Sequence, residues 1–324
     1  TPLLQTVAGI TVHDGRGQAA TTTFRYDGAA YDWSERRFLG FRRSIRTSPC
    51  LAGEAICPYE ELLFHQELPA LGKPERVDSY AGGELATRTE YEYELRAGAL
   101  PMFCRETGKT TTEYEGPSQR QRRQETTYDL YGNVLLEIDR GELGRLGDEK
   151  TTSTEYRPNT TDYLVSYPAA ITTYGGVGTT GPMLERRRNV YDLQSSFEAP
   201  PIAGARTEER RWLDTDGSEL VWQTRYDLYG NVTRREDPTG VRTDSTYEGY
   251  ALYEATATNR LGHRVLTQWN YLCGMPSSIE DANRQVTTYS YDALCRMTRA
   301  DKPGGDFRAF SFLDFGDAQA QEGV

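Results

Sequence analysis

The chain has 324 residues, 37% of them hydrophobic, and Tyr (22) outnumbers Phe (10) and Trp (4). That much apolar material excludes wholesale disorder, and its Tyr-rich character suits a sheet with one face partly wet. The net charge of −11 argues against a nucleic-acid binder, which needs a basic stripe to displace counterions from phosphates.

The chain starts at Thr1 with neither Met nor a signal-peptide pattern, which suggests a mature form or a piece of something longer. Thr22–Arg43 ("TTFRYDGAAYDWSERRFLGFRR") holds two Tyr-Asp pairs, Tyr26-Asp27 and Tyr31-Asp32, then an aromatic–Gly–aromatic strand over Phe38–Phe41. Pro58–Leu68 ("PYEELLFHQEL") is the best helix candidate. Pro stands early and Leu62, Leu63 and Leu68 fall on or near one face; the stretch reads equally as an irregular insertion. Ala86–Gly98 and Lys109–Gly116 alternate with the period of a strand. "YDLYGNV" stands at Tyr128–Val134 and returns unchanged at Tyr226–Val232. Turn-rich insertions fall at Gly141–Glu149, Gly175–Pro182 and Ala199–Gly204. No run of roughly 18 apolar residues occurs, so no direct membrane span is expected.

The last third is periodic. Asp237–Tyr247, Asn259–Trp269, Asp281–Tyr291 and Asp301–Phe312 align on Gly240, Gly262, Arg284 and Gly305, at steps of 22, 22 and 21 residues. Seven residues after each anchor stands an aromatic: Tyr247, Trp269, Tyr291 and Phe312. The unit reads Tyr-Asp, two residues, a Gly-Asn-like turn, a short β-rich run, an Asp-x-x-Gly turn, a second run and the next aromatic. Its marker residues are Tyr128, Asp129, Gly132 and Asn133, their copies Tyr226, Asp227, Gly230 and Asn231, and the pair Tyr291 and Asp292. Such turns need positive φ, so each unit is about one β-hairpin. A lone hairpin is unstable, so successive units must pair or stack.

Little of this points to chemistry. The five cysteines, Cys50, Cys57, Cys104, Cys273 and Cys295, are odd in number and widely spaced, which argues against a disulfide framework. Cys50 and Cys57 could close a small loop in an oxidising compartment, but buried free thiols are the preferred reading. Cys57 and His65 form the one Cys/His neighbourhood, read as an inert thiol beside a histidine. "LDTDG" (Leu213–Gly217) and "EIDR" (Glu137–Arg140) are read as turn chemistry rather than paired catalytic acids or half a calcium loop. The arginines at 120, 122 and 123, at 186–188 and at 210–211 have acidic neighbours Glu125, Glu185 and Glu208, as solvated faces do. No enzyme activity, cofactor or metal is expected.

The duplicated heptad followed by Asp-x-x-Gly and an alternating strand resembles the Tyr-Asp repeat of RHS (YD-repeat) proteins. "YDGAAYDWSERRFLGFRR" resembles the segment ahead of such repeats in the B component of bacterial insecticidal Tc toxin complexes. The resemblance implies hairpins paired into one long sheet that winds as a spiral, forming part of a hollow shell around a toxic polypeptide. Two departures stand out. No blade-like period of about 40 residues marks a β-propeller, and the end of the chain, "FGDAQAQEGV", lacks the motifs of a self-cleaving RHS core. "DPTG" (Asp237–Gly240) matches those motifs in part but sits in an ordinary repeat turn, so self-cleavage is not assigned.

The expectation is therefore an all-β, spirally wound hairpin array, residues 1–125 being the B-component-like N-terminal part and residues 126–324 the clearer repeats. It would encapsulate and help deliver a toxic cargo polypeptide, with other toxin-complex subunits as partners, secreted or at the cell surface. The alternative is a cell-surface adhesion module binding glycans or proteins through exposed aromatics. A carbohydrate-active enzyme on a β-helix would need one concentrated group of carboxylates, which the sequence does not offer.

Overall fold

The computed structural model describes residues 4–50, 53–98 and 100–312. The closing "FGDAQAQEGV" lies outside them. These residues form 22 β-strands and no helix, the all-β class expected. The chain divides into two compact units, the first comprising Thr1–Tyr156 and Ala170–Arg186, the second Arg157–Ala169 and Arg187–Val324.

The first unit contains β1 (Gly9–His13), β2 (Ala19–Asp32), β3 (Arg37–Thr47), β4 (Tyr59–Phe64), β5 (Pro74–Ala81), β6 (Glu84–Arg96), β7 (Phe103–Glu115), β8 (Ser118–Tyr128), β9 (Val134–Glu142) and β10 (Lys150–Tyr156). β11 (Pro168–Gly175) and β12 (Met183–Tyr191) supply residues to both units. The second unit holds β13 (Arg206–Trp212), β14 (Glu219–Tyr226), β15 (Val232–Glu236), β16 (Arg242–Tyr247), β17 (Glu254–Asn259), β18 (Arg264–Asn270), β19 (Met275–Glu280), β20 (Val286–Tyr291), β21 (Met297–Asp301) and β22 (Phe307–Ala309). Within each unit, strands adjacent in sequence pair antiparallel, β1 through β10 in one and β12 through β22 in the other.

Among the described residues few apolar side chains are buried: Ala70, Val165, Ala169, Ala170, Val190, Tyr191 and Ala300. Cohesion therefore falls to pairs laid across the strands. Thr11 meets Thr21 at 2.9 Å, Thr89 meets Thr111 at 3.2 Å and Thr246 meets Thr256 at 2.7 Å. Arg123 bridges Glu92 and Glu125 at 2.7 and 2.8 Å, and Arg140 caps Glu125 at 2.8 Å. Asp78, 1% exposed, lies between Arg76 at 3.0 Å and Arg88 at 2.7 Å, the pairing that a buried carboxylate requires.

Two expectations are corrected. The helix candidate Pro58–Leu68 is strand over Tyr59–Phe64, hydrogen-bonded to β3 and β5 on its two sides. Tyr59 stacks on Tyr80 across the β4–β5 pair, 4.4 Å between ring centroids; pairing on both sides overrides local propensity. The free-thiol reading fails for four cysteines: Cys50 is bonded to Cys57, and Cys273 to Cys295. Cys273 and Cys295 hold the same place in successive units, which brings their Cα atoms to 5.2 Å, within disulfide reach. Cys104 remains a thiol, and burial raises its pKa.

Candidate functional site

The repeated feature is a corner, and its chemistry is mechanical. At the corner after β8, Asp129 Oδ1 accepts the amides of Tyr131 and Asn133 at 2.9 and 2.8 Å, and Gly132 N–H closes back on the Asp129 carbonyl at 3.2 Å. The copy after β14 is the same: Asp227 Oδ1 takes the amides of Tyr229 and Asn231, each at 2.9 Å. Asp292 holds the amides of Leu294 and Arg296, each at 2.9 Å. On the opposite edge, Asp237 and Asn259 organise the turns of Gly240 and Gly262 in the same way, and Gly305 N–H bonds the Lys302 carbonyl at 3.4 Å. A side-chain oxygen replaces water on turn amides that the ladder leaves unpaired.

The aromatic before each corner does two jobs. First, it marks a bulge. Tyr226 faces Val232 while Arg225 faces Arg234, which leaves Thr233 as the extra residue. The same skip leaves Thr207 opposite Tyr191, Ala255 opposite Tyr247, Ser277 opposite Trp269 and Thr298 opposite Tyr291. Second, its polar tip reaches back to the bulge of the preceding unit. Tyr226 Oη donates to the Arg206 carbonyl at 2.9 Å, Tyr247 Oη to Val232 at 3.2 Å, Trp269 Nε1 to Glu254 at 2.9 Å and Tyr291 Oη to Pro276 at 2.7 Å. Each acceptor is the residue facing the previous aromatic. A bulge interrupts the ladder, and the next unit supplies the donor. In the first unit Tyr93 bonds the Pro74 carbonyl at 2.8 Å and Tyr128 the Glu106 carbonyl at 2.6 Å. Burial raises the hydroxyl pKa of Tyr128, Tyr247 and Tyr291, which keeps them donors.

In the second unit the marker residues thus sort onto two edges: Tyr226, Tyr247, Trp269 and Tyr291 lie at strand ends before one row of corners, while Gly240, Gly262 and Gly305 shape the other row. In the first unit Tyr128 likewise ends β8 before its corner. The bulge residues escape a reading of aromatics and glycines. Their signal is present nonetheless: Thr233, Ala255, Ser277 and Thr298 are small or β-branched and recur at the same 22, 22 and 21 spacing.

Elsewhere the reactive candidates are engaged in structure. Cys57 is in a disulfide, and His65 lies edge-on to Tyr93 with ring centroids 5.7 Å apart. In "LDTDG", Asp216 Oδ1 caps the Ser218 amide at 2.9 Å, and Glu219 pairs with Arg188 at 3.1 Å. Arg210 pairs with Glu208 at 2.7 Å and Arg211 with Glu209 at 2.6 Å. Among the described residues, no group of three or more His, Cys, Asp or Glu is placed to hold a metal ion.

The N-terminal stretch builds a different feature, an apolar groove lined by Phe24, Tyr26, Tyr31, Phe38 and Phe41. Gln66 Nε2 donates to the carbonyls of Gly28 and Gly40 at 2.6 and 2.9 Å, tying β2 to β3. Gly28 has φ 67°, and a Cβ there would stand 2.7 Å from that of Arg42, so only glycine fits.

Residues 1–57, which include this groove, match the family model described as the insecticide toxin TcdB middle/N-terminal region. No curated protein matches the chain. Among solved structures, that of TcdB2–TccC3 aligns with 92% of this chain and 23% of its own, at a TM-score of 0.71 and 12% identity. The TcdB2–TccC3–Cdc42 structure aligns with 90% of this chain and 22% of its own, at 0.70 and 11%. The Photorhabdus luminescens Tc holotoxin pore aligns with 90% of this chain and 21% of its own, at 0.70 and 12%. The chain spans less than a quarter of each matched chain. At this identity the likeness is one of fold. The resemblance to the B component of Tc toxins is borne out by the family model over residues 1–57 and by the fold over nearly all of the chain.

Proposed function

We propose that this chain is a section of wall in a Tc-type toxin shell. The observation that carries the reading is the joint match: a B-component family segment at residues 1–57, continuous with an array that shares the fold of TcdB2–TccC3. On this reading residues 1–125 are the B-component-like part and residues 126–324 the repeats proper. The markers from Tyr128 to Gly305 fasten hairpin to hairpin, and the protein acts as container rather than catalyst. The wall encloses a toxic polypeptide, joins other subunits of the complex and leaves the cell with them. The corner-and-bulge device supports this, because a wall needs many equivalent joints and no reactive centre.

The test is co-expression with a C-component-type polypeptide that carries a toxic C-terminal region. The expected result is co-elution, with the cargo protected from protease until the complex is denatured. Separate elution, with the cargo digested as fast as it is alone, overturns the reading. In that case adhesion moves ahead, since Trp33, Tyr229 and Tyr250 present 67%, 71% and 75% of their surface to solvent, and aromatic faces of that kind stack on sugars.

A further inference from the structure

The ties between successive corners of the second unit differ in kind. The corner between β14 and β15 is tied to the one between β16 and β17 by a hydrogen bond, Asn231 Nδ2 to the Ala251 carbonyl at 2.8 Å. That corner is tied to the one between β18 and β19 by the Tyr271 hydroxyl, which donates to the Glu248 carboxylate. The next tie, to the corner between β20 and β21, is the Cys273–Cys295 disulfide. Of these three ties it is the one that a thiol can cut.

The corner itself does not call for cysteine. Cys295 has φ 60°, at the position that Gly132 and Gly230 fill at 93° and 87°. A side chain in that region is strained, so the turn alone favours glycine. Reduction leaves the strained residue in place without the bond that offsets it. Little else holds this end of the array. β19 meets β20 over Ser278–Glu280, and β22 is 3 residues long. Among the described residues, Ala300 is the one buried apolar side chain in β19–β22. The bond closes a span of 22 residues that contains both β19 and β20. Closing a span of that length disfavours its opening on the order of 100-fold. The Cys50–Cys57 bond, by contrast, spans 7 residues inside the single β3–β4 connection and joins no two repeats. Cys273 and Cys295 are part-exposed, beside Leu272 and Leu294, which are 90% and 60% exposed. The sulfurs thus lie at turns that a small thiol in solution can approach.

We propose that the Cys273–Cys295 bond is a redox latch: intact, it keeps β19–β22 closed on the array, and reduction by a thiol frees that end. The step is disulfide exchange. The thiolate of a monothiol such as glutathione attacks one cysteine Sγ, and the other cysteine leaves as a thiolate. A second thiolate then attacks the incoming sulfur of the mixed disulfide and releases the first cysteine. The chain ends with two thiols and the reductant as its own disulfide. The latch rests on the wall reading for its purpose and adds a trigger to it: closed in oxidising surroundings, loosened in a reducing compartment. Its chemistry is measured on the chain alone, without cargo, so the two readings fail separately.

The test is amide exchange of the full chain at neutral pH without denaturant, with and without millimolar glutathione, and mass mapping of alkylated thiols on the same samples. Cys273 and Cys295 should both become alkylated. Exchange in β19–β22 should quicken on the order of 100-fold, while β13–β16 keep their rates. Oxidised glutathione should restore the protection. Cys50→Ser/Cys57→Ser should respond as the parent does, and Cys273→Ser/Cys295→Ser should exchange fast at this end in either condition. A bond that resists glutathione in the folded chain overturns the proposal. So does reduction that leaves exchange unchanged, or that quickens it evenly along the chain.

Discussion

Arg284 has φ 62° at a corner position where Gly240 and Gly262 have 77° and 83°. A side chain in that region costs about 1 kcal/mol, which glycine avoids at some cost in chain entropy. Arg284→Gly is expected to leave stability unchanged or raise it by up to about 1 kcal/mol. Gly240→Ala should lower it by about 1 kcal/mol, because the strain there is in the backbone alone: the nearest side-chain atom to a Cβ at Gly240 is Arg260 Nη1, at 4.0 Å. Urea midpoints of the two variants, moving in opposite directions or one not at all, check the pair.

At the scale of strands, the aromatic–bulge contact is the joint to break. Tyr247→Phe removes the donor to the Val232 carbonyl and keeps the ring. The expected loss is about 1 kcal/mol, the net worth of one such hydrogen bond. Amide exchange should quicken first in β15 and β16. Uniform quickening along the whole chain would contradict a local joint. The 22-residue spacing was legible because identical corners impose identical lengths, and Gly240, Gly262 and Tyr247 announce those corners through residue type. The strand over Tyr59–Phe64 was not, because "PYEELLF" has the local composition of a helix start and only pairing with β3 and β5 decides it. The Cys273–Cys295 bond was half legible. Its two residues share one phase of the repeat, yet an odd cysteine total pointed away from pairing until neighbouring units were placed side by side.

For the molecule as a whole, stability should form a plateau bounded by two titrations. The Thr239 hydroxyl lowers the pKa of Asp237, the Arg296 amide that of Asp292, and the Arg123 and Arg140 guanidiniums those of Glu92 and Glu125. The stabilisation they give is complete above the ordinary carboxylate range and is lost as pH falls through the lowered values. Tyr128, Tyr247 and Tyr291 are raised, so their share is complete below about pH 10 and lost as pH climbs through the raised values. The urea midpoint should be flat from about pH 5 to 9 and fall on both sides. A steady slope across neutral pH would mean that other groups control folding.

The backward reach of each aromatic bears on how such a chain can grow. A unit brings a donor for the carbonyl its predecessor left open, and a bulge carbonyl of its own for its successor. Copying one 22-residue segment in tandem therefore copies both halves of the joint, and the enlarged chain contains no orphaned polar group at the new boundary. Lengthening by duplication is close to neutral for stability at every internal position, whereas inserting a single residue between corner and bulge is not.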